Sequence, residues 1–228
     1  MWKKDQEKKM IFLLNINNYS PEITKLTYPY IERYAEKIKA DIHVINERKF
    51  PDWDMDYEKL QIHELGREYE NDWNIYFDSD ALLHPDLPDI TELLHKNTVA
   101  HNGSDLACIR WTYDKYFWRD GRHIGSCNWC AIGSDWCLDL WRPLDDMTME
   151  EAIKNIRLTR DEELSGVLTK EHLVSDYALS RNIARFGLKF VTLNSIFANC
   201  GNFFWHTYTI PVDEKIVELK RIIREWKI

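Results

Sequence analysis

Two aspartates separated by one residue, Asp78 and Asp80, directly follow an apolar segment of strand length. If the chain stays extended there, side chains two residues apart project to the same side. Two close carboxylates repel each other unless a cation or a proton lies between them. Oxygen ligands suit Mg²⁺ or Mn²⁺, which proteins bind through one or two carboxylates together with substrate phosphates. The pattern therefore predicts a carboxylate–metal–diphosphate clamp, although a polar turn that ends a strand would look the same.

Predicted strands that alternate with predicted helices must position this pair of aspartates. Strands are predicted over residues 10–15, 41–45 and 73–77, separated by a helix that starts at Pro21 and a second helix over 57–70. We expect Pro29 to kink or split the first helix. The order strand, helix, strand, helix, strand predicts a parallel, doubly wound α/β sheet. In such sheets ligands bind beyond the carboxyl ends of the strands, which is where Asp78 falls.

The second half of the sequence is less regular. The segments 106–111, 127–132 and 188–193 are typical of strands, and residues 175–186 are typical of a helix that Gly187 stops. Near the end of the chain, Ile216, Leu219 and Ile223 recur at helical spacing and predict an amphipathic helix.

Composition limits the classes of function. A chain of 228 residues with 44% hydrophobic residues can bury a substantial core as one domain, here expected over 10–228 after a charged lead-in over 1–9. A net charge of -8 argues against a nucleic-acid partner. The sequence holds neither an apolar run of membrane-spanning length nor a signal-peptide pattern, so we expect a soluble, cytoplasmic protein without a membrane span. Five cysteines, an odd number, favour packed thiols over a disulfide framework or a zinc site.

The segment Asn74–Leu83, which contains Asp78-Ser79-Asp80, resembles the DxD segment of the GT-A-fold glycosyltransferases. The order and spacing of further segments extend the resemblance over about residues 10–210, and it is greatest to the small glycosyltransferases encoded by large DNA viruses of algae. The resemblance implies a single GT-A-like, Rossmann-like domain with a central mixed, mostly parallel sheet flanked by helices. Residues 10–100 would form its nucleotide-binding half and residues 101–228 its acceptor-binding half.

The same resemblance assigns roles to individual residues. Asp78 and Asp80 would hold Mn²⁺ or Mg²⁺, and the segment Phe203–His206 resembles the one that supplies a third protein ligand, here His206. The segment Val174–Arg181 is similar to an acidic helix start in which inverting members carry the catalytic base, which maps onto Asp176.

Donor-binding residues are also implied. Lys59 precedes the motif where related enzymes carry a basic residue near the nucleotide, and Ser79 lies within the motif. Asn128 falls in a segment similar to the strand whose asparagine hydrogen-bonds the donor sugar, while Trp129-Cys130 replaces the small residues usual there. The remaining donor-side candidates, which follow the first strand where base and ribose should lie, are Asn17 and Tyr19.

The expected activity is transfer of a hexose-type sugar from a nucleoside diphosphate sugar, with UDP favoured, to a hydroxyl of a glycan or glycoprotein. If Asp176 only caps its helix, a retaining route replaces inversion, and a degenerate domain that binds nucleotide or glycan without turnover stays open. A phosphatase of the haloacid dehalogenase type is less favoured, because Leu82 stands where its motif needs a hydroxyl residue. A sugar nucleotidyltransferase would need a glycine-rich loop after the first strand, and residues 15–20 contain no glycine.

Overall fold

The computed structural model describes residues 7–103, 129–158, 160–166, 168–206 and 210–228. The strand predicted over 106–111 lies outside these residues. The strands are β1 Lys9–Leu14, β2 Ala40–Ile45, β3 Trp73–Phe77, β4 Leu82–Leu83, β5 Thr98–His101, β6 Cys130–Ser134, β7 Lys189–Thr192 and β8 Phe204–Trp205. The helices are α1 Pro21–Ile38, α2 Ile62–Glu68, α3 Met149–Ile153, α4 Arg160–Ser165, α5 Val174–Arg185, α6 Leu193–Ile196 and α7 Val212–Trp226.

The central sheet has six strands in the order β2-β1-β3-β6-β5-β7. The neighbours β1 and β2, β1 and β3, and β5 and β7 run parallel, whereas β6 runs antiparallel to both of its neighbours. The predicted mixed, mostly parallel sheet is therefore confirmed. The strand expected over 127–132 appears in part, since β6 begins at Cys130 and extends to Ser134.

Strand β1 shows why the sheet lies between two layers. Its side chains point alternately to opposite faces, as the pleat requires. Ile11 and Leu13 pack in the cluster that contains Ile31 of α1, whereas Phe12 packs on the other face, in a cluster that contains Tyr177 of α5. The apolar residues on both faces explain the continuous apolar character of this segment.

The split expected at Pro29 and the single α-helix expected over 57–70 are both corrected by the structure. Helix α1 is continuous across Pro29 instead of being split there, because proline removes one internal hydrogen bond while buried residues on both sides, Ile23 and Ile31 among them, hold the helix against the sheet. The helix predicted over 57–70 is a 3₁₀ helix, Met55–Gln61, that continues into the short α2.

Two elements complete the frame around the end of β3. Strands β4 and β8 form a separate antiparallel pair in which Leu82 lies opposite Trp205. Helix α7 packs its Leu219 and Ile222 against Leu82 and against Ile23 of α1. In the ranges that the structure describes, none of the helices is both long and apolar enough to cross a membrane.

Candidate metal centre and its cavity

A cavity of about 370 Å³ opens beyond the carboxyl ends of β1 and β3. The chain leaves β1 towards β2 on one side and leaves β3 towards β5 on the other, and such a divergence creates a crevice where ligands bind in open α/β sheets. Its described lining residues come from several separate segments: Leu14, Ile16, Tyr19, Asp54, Met55, Asp56, Tyr76, Asp78, Ser79, Asp80, His172, His206, Ile210, Pro211, Val212 and Lys215.

The backbone turn after β3 places both aspartates at this opening. The Asp78 amide donates to the Trp129 carbonyl at 2.8 Å, and the Ala81 amide donates to the Asp78 carbonyl at 3.0 Å. The pairing of β4 with β8 then brings residue 206 alongside the end of the turn. The Trp129 ring stacks on the His206 imidazole with centroids 5.5 Å apart, which helps to fix the ring plane.

Asp78, Asp80 and His206 together offer three ligand atoms, all within 4.8 Å of one another. The His206 Nε2 atom lies 3.3 Å from Asp78 Oδ2 and 3.1 Å from Asp80 Oδ1. Adjacent ligands of an octahedral ion with bonds of about 2.1 Å are about 3.0 Å apart, so this donor set fits Mg²⁺ or Mn²⁺ with little rearrangement. The two carboxylates match the preference of these ions for oxygen ligands, and the imidazole favours the transition metal Mn²⁺ over Mg²⁺.

Two lysines lie against the carboxylates. Lys215 of α7 contacts Asp80 Oδ2 through its Nζ atom, and the Lys59 Nζ atom is 3.8 Å from Asp78 Oδ1. The Tyr76 hydroxyl donates to Asp78 Oδ1 as well. Lys59 is only 1% exposed and lies behind the carboxylates, its Nζ atom 4.9 Å from the centre of the Tyr76 ring.

These contacts shift the pKa values of the cluster. Burial opposes ionisation of Asp78 and Asp80, but Lys59 and His206 lower the pKa of Asp78, and His206 and Lys215 lower that of Asp80. Burial also disfavours the imidazolium, yet the two carboxylates raise the pKa of His206 to about 9. A cation that binds His206 must therefore displace a proton held between the aspartates.

The residues predicted to bind the base and ribose, Asn17, Tyr19 and Ser79, differ in how deeply they are buried. Tyr19 lines the cavity, and its side chain is partly exposed. Asn17 belongs to the same loop, has a positive φ of 55° and is exposed. Ser79 is buried, and its hydroxyl group donates to the Leu14 carbonyl and pairs with the Tyr28 hydroxyl at 3.2 Å. These bonds tie the turn after β3 to the end of β1 and to helix α1.

Asp176 lies in the first turn of α5, as the sequence predicts. Asp176 is 4% exposed and is not among the described residues that line the cavity. Its charge nevertheless reaches Lys59: burial opposes the ammonium form, while Asp56, Asp78 and Asp176 raise the pKa of that amine. Asn128 lies outside the described residues.

Sequence reasoning missed several residues of this cavity, Lys215 and Tyr76 among them. The burial of Lys215 could have been predicted from the sequence, because it lies one helical turn before Leu219 on the apolar face of α7. On the other side of the cavity, His172 Nε2 is 2.9 Å from Asp56 Oδ2, and Asp54 lies beside them. No pattern in the sequence predicts that these three side chains meet, because they come together only when the segment before α5 packs on the 3₁₀ helix Met55–Gln61.

Comparison with known proteins relates the chain to solved structures only. No family model matches it, and neither does any curated protein. It is similar to a glycosyltransferase involved in the glycosylation of the major capsid of the virus PBCV-1, with 10% identity, a TM-score of 0.52, and coverage of 93% of this chain and 99% of that one. A second similar structure is Drosophila β-1,4-galactosyltransferase 7, a mutant in complex with manganese, UDP-Gal and xylobiose, with 14% identity, a TM-score of 0.46, and coverage of 91% and 73%.

The likeness to the viral enzyme extends over nearly the whole of both chains. Because the identity is only 10%, this likeness shows the fold alone. The fold is a GT-A-like arrangement of the Rossmann type with a mixed six-stranded sheet between helices. The fold class that the sequence predicts is thereby confirmed.

Proposed function

We propose that this chain is a metal-dependent glycosyltransferase. It moves a hexose-type sugar from a nucleoside diphosphate sugar, with UDP as the favoured nucleotide, to a hydroxyl group of a glycan or glycoprotein. One observation carries the proposal: Asp78, Asp80 and His206 form a three-donor cluster at the edge of a 370 Å³ cavity. That cavity lies at the strand ends where a GT-A-like sheet binds ligands, and the viral structure that shares this fold is a glycosyltransferase.

The three metal-ligating side chains and the groups around them support a particular division of roles. Asp78, Asp80 and His206 hold Mn²⁺ or Mg²⁺, and the bound ion supplies Lewis-acid stabilisation of the charge on the departing diphosphate. Lys59, from behind the site, and the Tyr76 hydroxyl, in the cavity wall, keep Asp78 ionised and oriented.

The remaining assigned residues act on the donor and the acceptor. Asn17, Tyr19 and Ser79 lie on the base and ribose side, and Asn128 binds the donor sugar. Asp176 takes the proton of the acceptor hydroxyl, which leads to inversion at the anomeric carbon.

A retaining transferase is the second candidate, and the placement of Asp176 favours it. A general base must come within hydrogen-bond reach of the acceptor hydroxyl, directly or through one water. Asp176 is buried and does not line the described cavity, so inversion requires a movement that exposes this carboxylate. Retention does not require Asp176 to reach the acceptor.

Thermal unfolding with nucleotides and metal tests the proposal. UDP together with Mn²⁺ should stabilise the wild type by about 2.7 kcal/mol at a ligand concentration of about 100 Kd. For a chain of this size that corresponds to a rise in Tm of about 5–10 °C. GDP with Mn²⁺ tests the choice of base, and UDP or Mn²⁺ alone should give smaller shifts.

The matched variants are Asp80→Asn and Asp86→Asn. Asp86 is a nearby aspartate whose side chain is 85% exposed, so its variant should keep the full ligand-dependent shift. Asp80→Asn should lose that shift, whatever its own Tm without ligand. An equal shift in both variants, or none in the wild type, would refute the metal site. Metal-dependent binding of UDP without donor hydrolysis or transfer would leave only a nucleotide-binding domain.

A further inference from the structure

A lysine from the last helix already neutralises one of the proposed metal ligands. The Lys215 Nζ atom contacts Asp80 Oδ2, while His206 Nε2 lies 3.1 Å from the other oxygen of the same carboxylate. Lys215 is 5% exposed and Asp80 is 6% exposed, so solvent screens this pair poorly. Both oxygens of Asp80 are thus engaged by groups of the protein itself.

The position of Lys215 is unfavourable without that partner. It lies in the first turn of the 15-residue helix α7, where the helix dipole disfavours a cation by about 0.3–1 kcal/mol. Burial adds a desolvation penalty for its ammonium group. Helix α7 is held in this orientation by Leu219 and Ile222, which pack against Ile23 and Leu82. The packing of the helix therefore delivers the amine to Asp80.

Two lysines already offset the charges of the two aspartates before any divalent ion arrives. Asp78 and Asp80 contribute two negative charges, and Lys59 and Lys215 contribute two positive ones. Lys59 is enclosed behind the site, whereas Lys215 lines the cavity and has space in front of it. A divalent ion that takes Asp80 as a ligand adds positive charge beside a carboxylate that Lys215 already offsets, and it repels the Lys215 amine. A diphosphate that enters with the ion offers that amine new oxygen acceptors in the same cavity.

We propose that Lys215 is a built-in counter-ion that competes with the divalent cation for Asp80 and moves to the diphosphate when cation and nucleotide bind together. This inference rests on the proposed function, since it requires the metal site of Asp78, Asp80 and His206. It makes the binding of metal and nucleotide cooperative: the free site binds Mn²⁺ weakly, and the nucleoside diphosphate strengthens that binding by relieving the competition.

Calorimetric titration of Mn²⁺, with and without saturating UDP, tests this competition. Lys215→Met keeps the length of the side chain and removes its charge, and Lys215→Gln is a second neutral variant in case the first does not fold. Lys220→Met removes an exposed lysine of the same helix and is the matched control. We expect the neutral variants to bind Mn²⁺ alone about tenfold more tightly than the wild type, within the usual range of coupling between sites. UDP should then strengthen Mn²⁺ binding less in these variants than in the wild type or in Lys220→Met.

The outcomes separate the two proposals. If UDP strengthens Mn²⁺ binding in the wild type, but the neutral variants bind Mn²⁺ alone no more tightly, Lys215 does not compete and this inference fails while the metal site stands. If neither the wild type nor any variant binds Mn²⁺, with or without UDP, the proposed function itself fails. Tighter binding of Mn²⁺ alone in Lys220→Met as well would show a general effect of net charge and would also overturn the inference.

Discussion

Replacing Lys59 with methionine removes the charge of a buried amine and keeps most of its volume. Lys59 is 1% exposed, its Nζ atom is 3.8 Å from Asp78 Oδ1, and it lies 4.9 Å from the centre of the Tyr76 ring. Without the amine, Asp78 loses a cation that lowers its pKa and favours its ionised form. The variant therefore tests whether the ion pair behind the site is needed to keep the motif charged.

The size of the effect follows from distance and burial. At 3.8 Å and an effective dielectric constant of about 20, the Coulomb attraction is about 4 kcal/mol. Removing one partner of a buried ion pair costs about 3–5 kcal/mol, because the other charge stays buried without compensation. Relief of the desolvation of the amine offsets part of this cost, and so do the remaining contacts of Asp78 with His206 and Tyr76, so we expect a loss of about 3 kcal/mol at pH 7. That is a large part of the ~5–15 kcal/mol that stabilises an ordinary domain.

The loss should shrink in acid. In the wild type the pKa of Asp78 is lowered, so its contribution to stability is present above the ordinary carboxyl pKa and disappears only as the pH falls through the lowered value. In Lys59→Met, the buried Asp78 carboxylate takes up a proton at a higher pH than in the wild type, and protonation removes the negative charge that Lys59 no longer offsets. The difference in unfolding free energy between the two proteins should therefore be smaller at pH 5 than at pH 7.

Urea unfolding at both pH values measures these differences. Lys49→Met is the matched control, because Lys49 pairs with Glu64 at the surface, where the side chains are 44% and 65% exposed. Surface pairs contribute about 0–1 kcal/mol, so the control should stay within about 0.5 kcal/mol of the wild type. A loss below about 1 kcal/mol in Lys59→Met, or a loss that does not change with pH, would refute the assigned role of the pair.

Two further variants probe the rest of the cavity. Burial disfavours the charged form of His172, but its hydrogen bond to Asp56 raises its pKa to about 8. The resulting stability is complete below the unfolded pKa of about 6.5 and is lost as the pH rises through about 8. Because 46% of the side chain is exposed, His172→Gln should be less stable than the wild type by under about 1 kcal/mol at pH 6. The difference should vanish by about pH 9 in thermal unfolding, and a difference that persists there would contradict the ion pair. Asp176→Asn should lower kcat by about 100-fold or more if Asp176 is the base, while UDP with Mn²⁺ still raises its Tm as in the wild type; a kcat near the wild-type value would favour retention.

Local patterns in the sequence predict the frame of the site well. The apolar segments over 10–15, 41–45 and 73–77, and the helices predicted between them, suffice to predict a parallel sheet. They also place Asp78 at the end of a strand, where the structure has it. Such predictions succeed because the periodicity of side chains depends on neighbours along the chain.

The partners of the aspartates depend on how distant surfaces pack. The sequence predicts the helix α7, but its spacing suggests Ile216, Leu219 and Ile223 as the inward residues, whereas the most buried positions are Lys215, Leu219 and Ile222. Neighbouring residues of a helix point about 100° apart, so the rotation of α7 about its axis decides whether residue 215 lies in solvent or on Asp80.

The sequence by itself thus determined the fold class, the acidic pair at the end of β3 and the candidate third ligand, His206. Only the tertiary structure decided that Lys215, 135 residues after Asp80, neutralises this pair from the front, while Lys59 neutralises it from behind. The reason is physical: the charge state of a buried carboxylate is set by the groups within a few ångströms. Here those groups come from segments that meet only when the helices pack against the sheet.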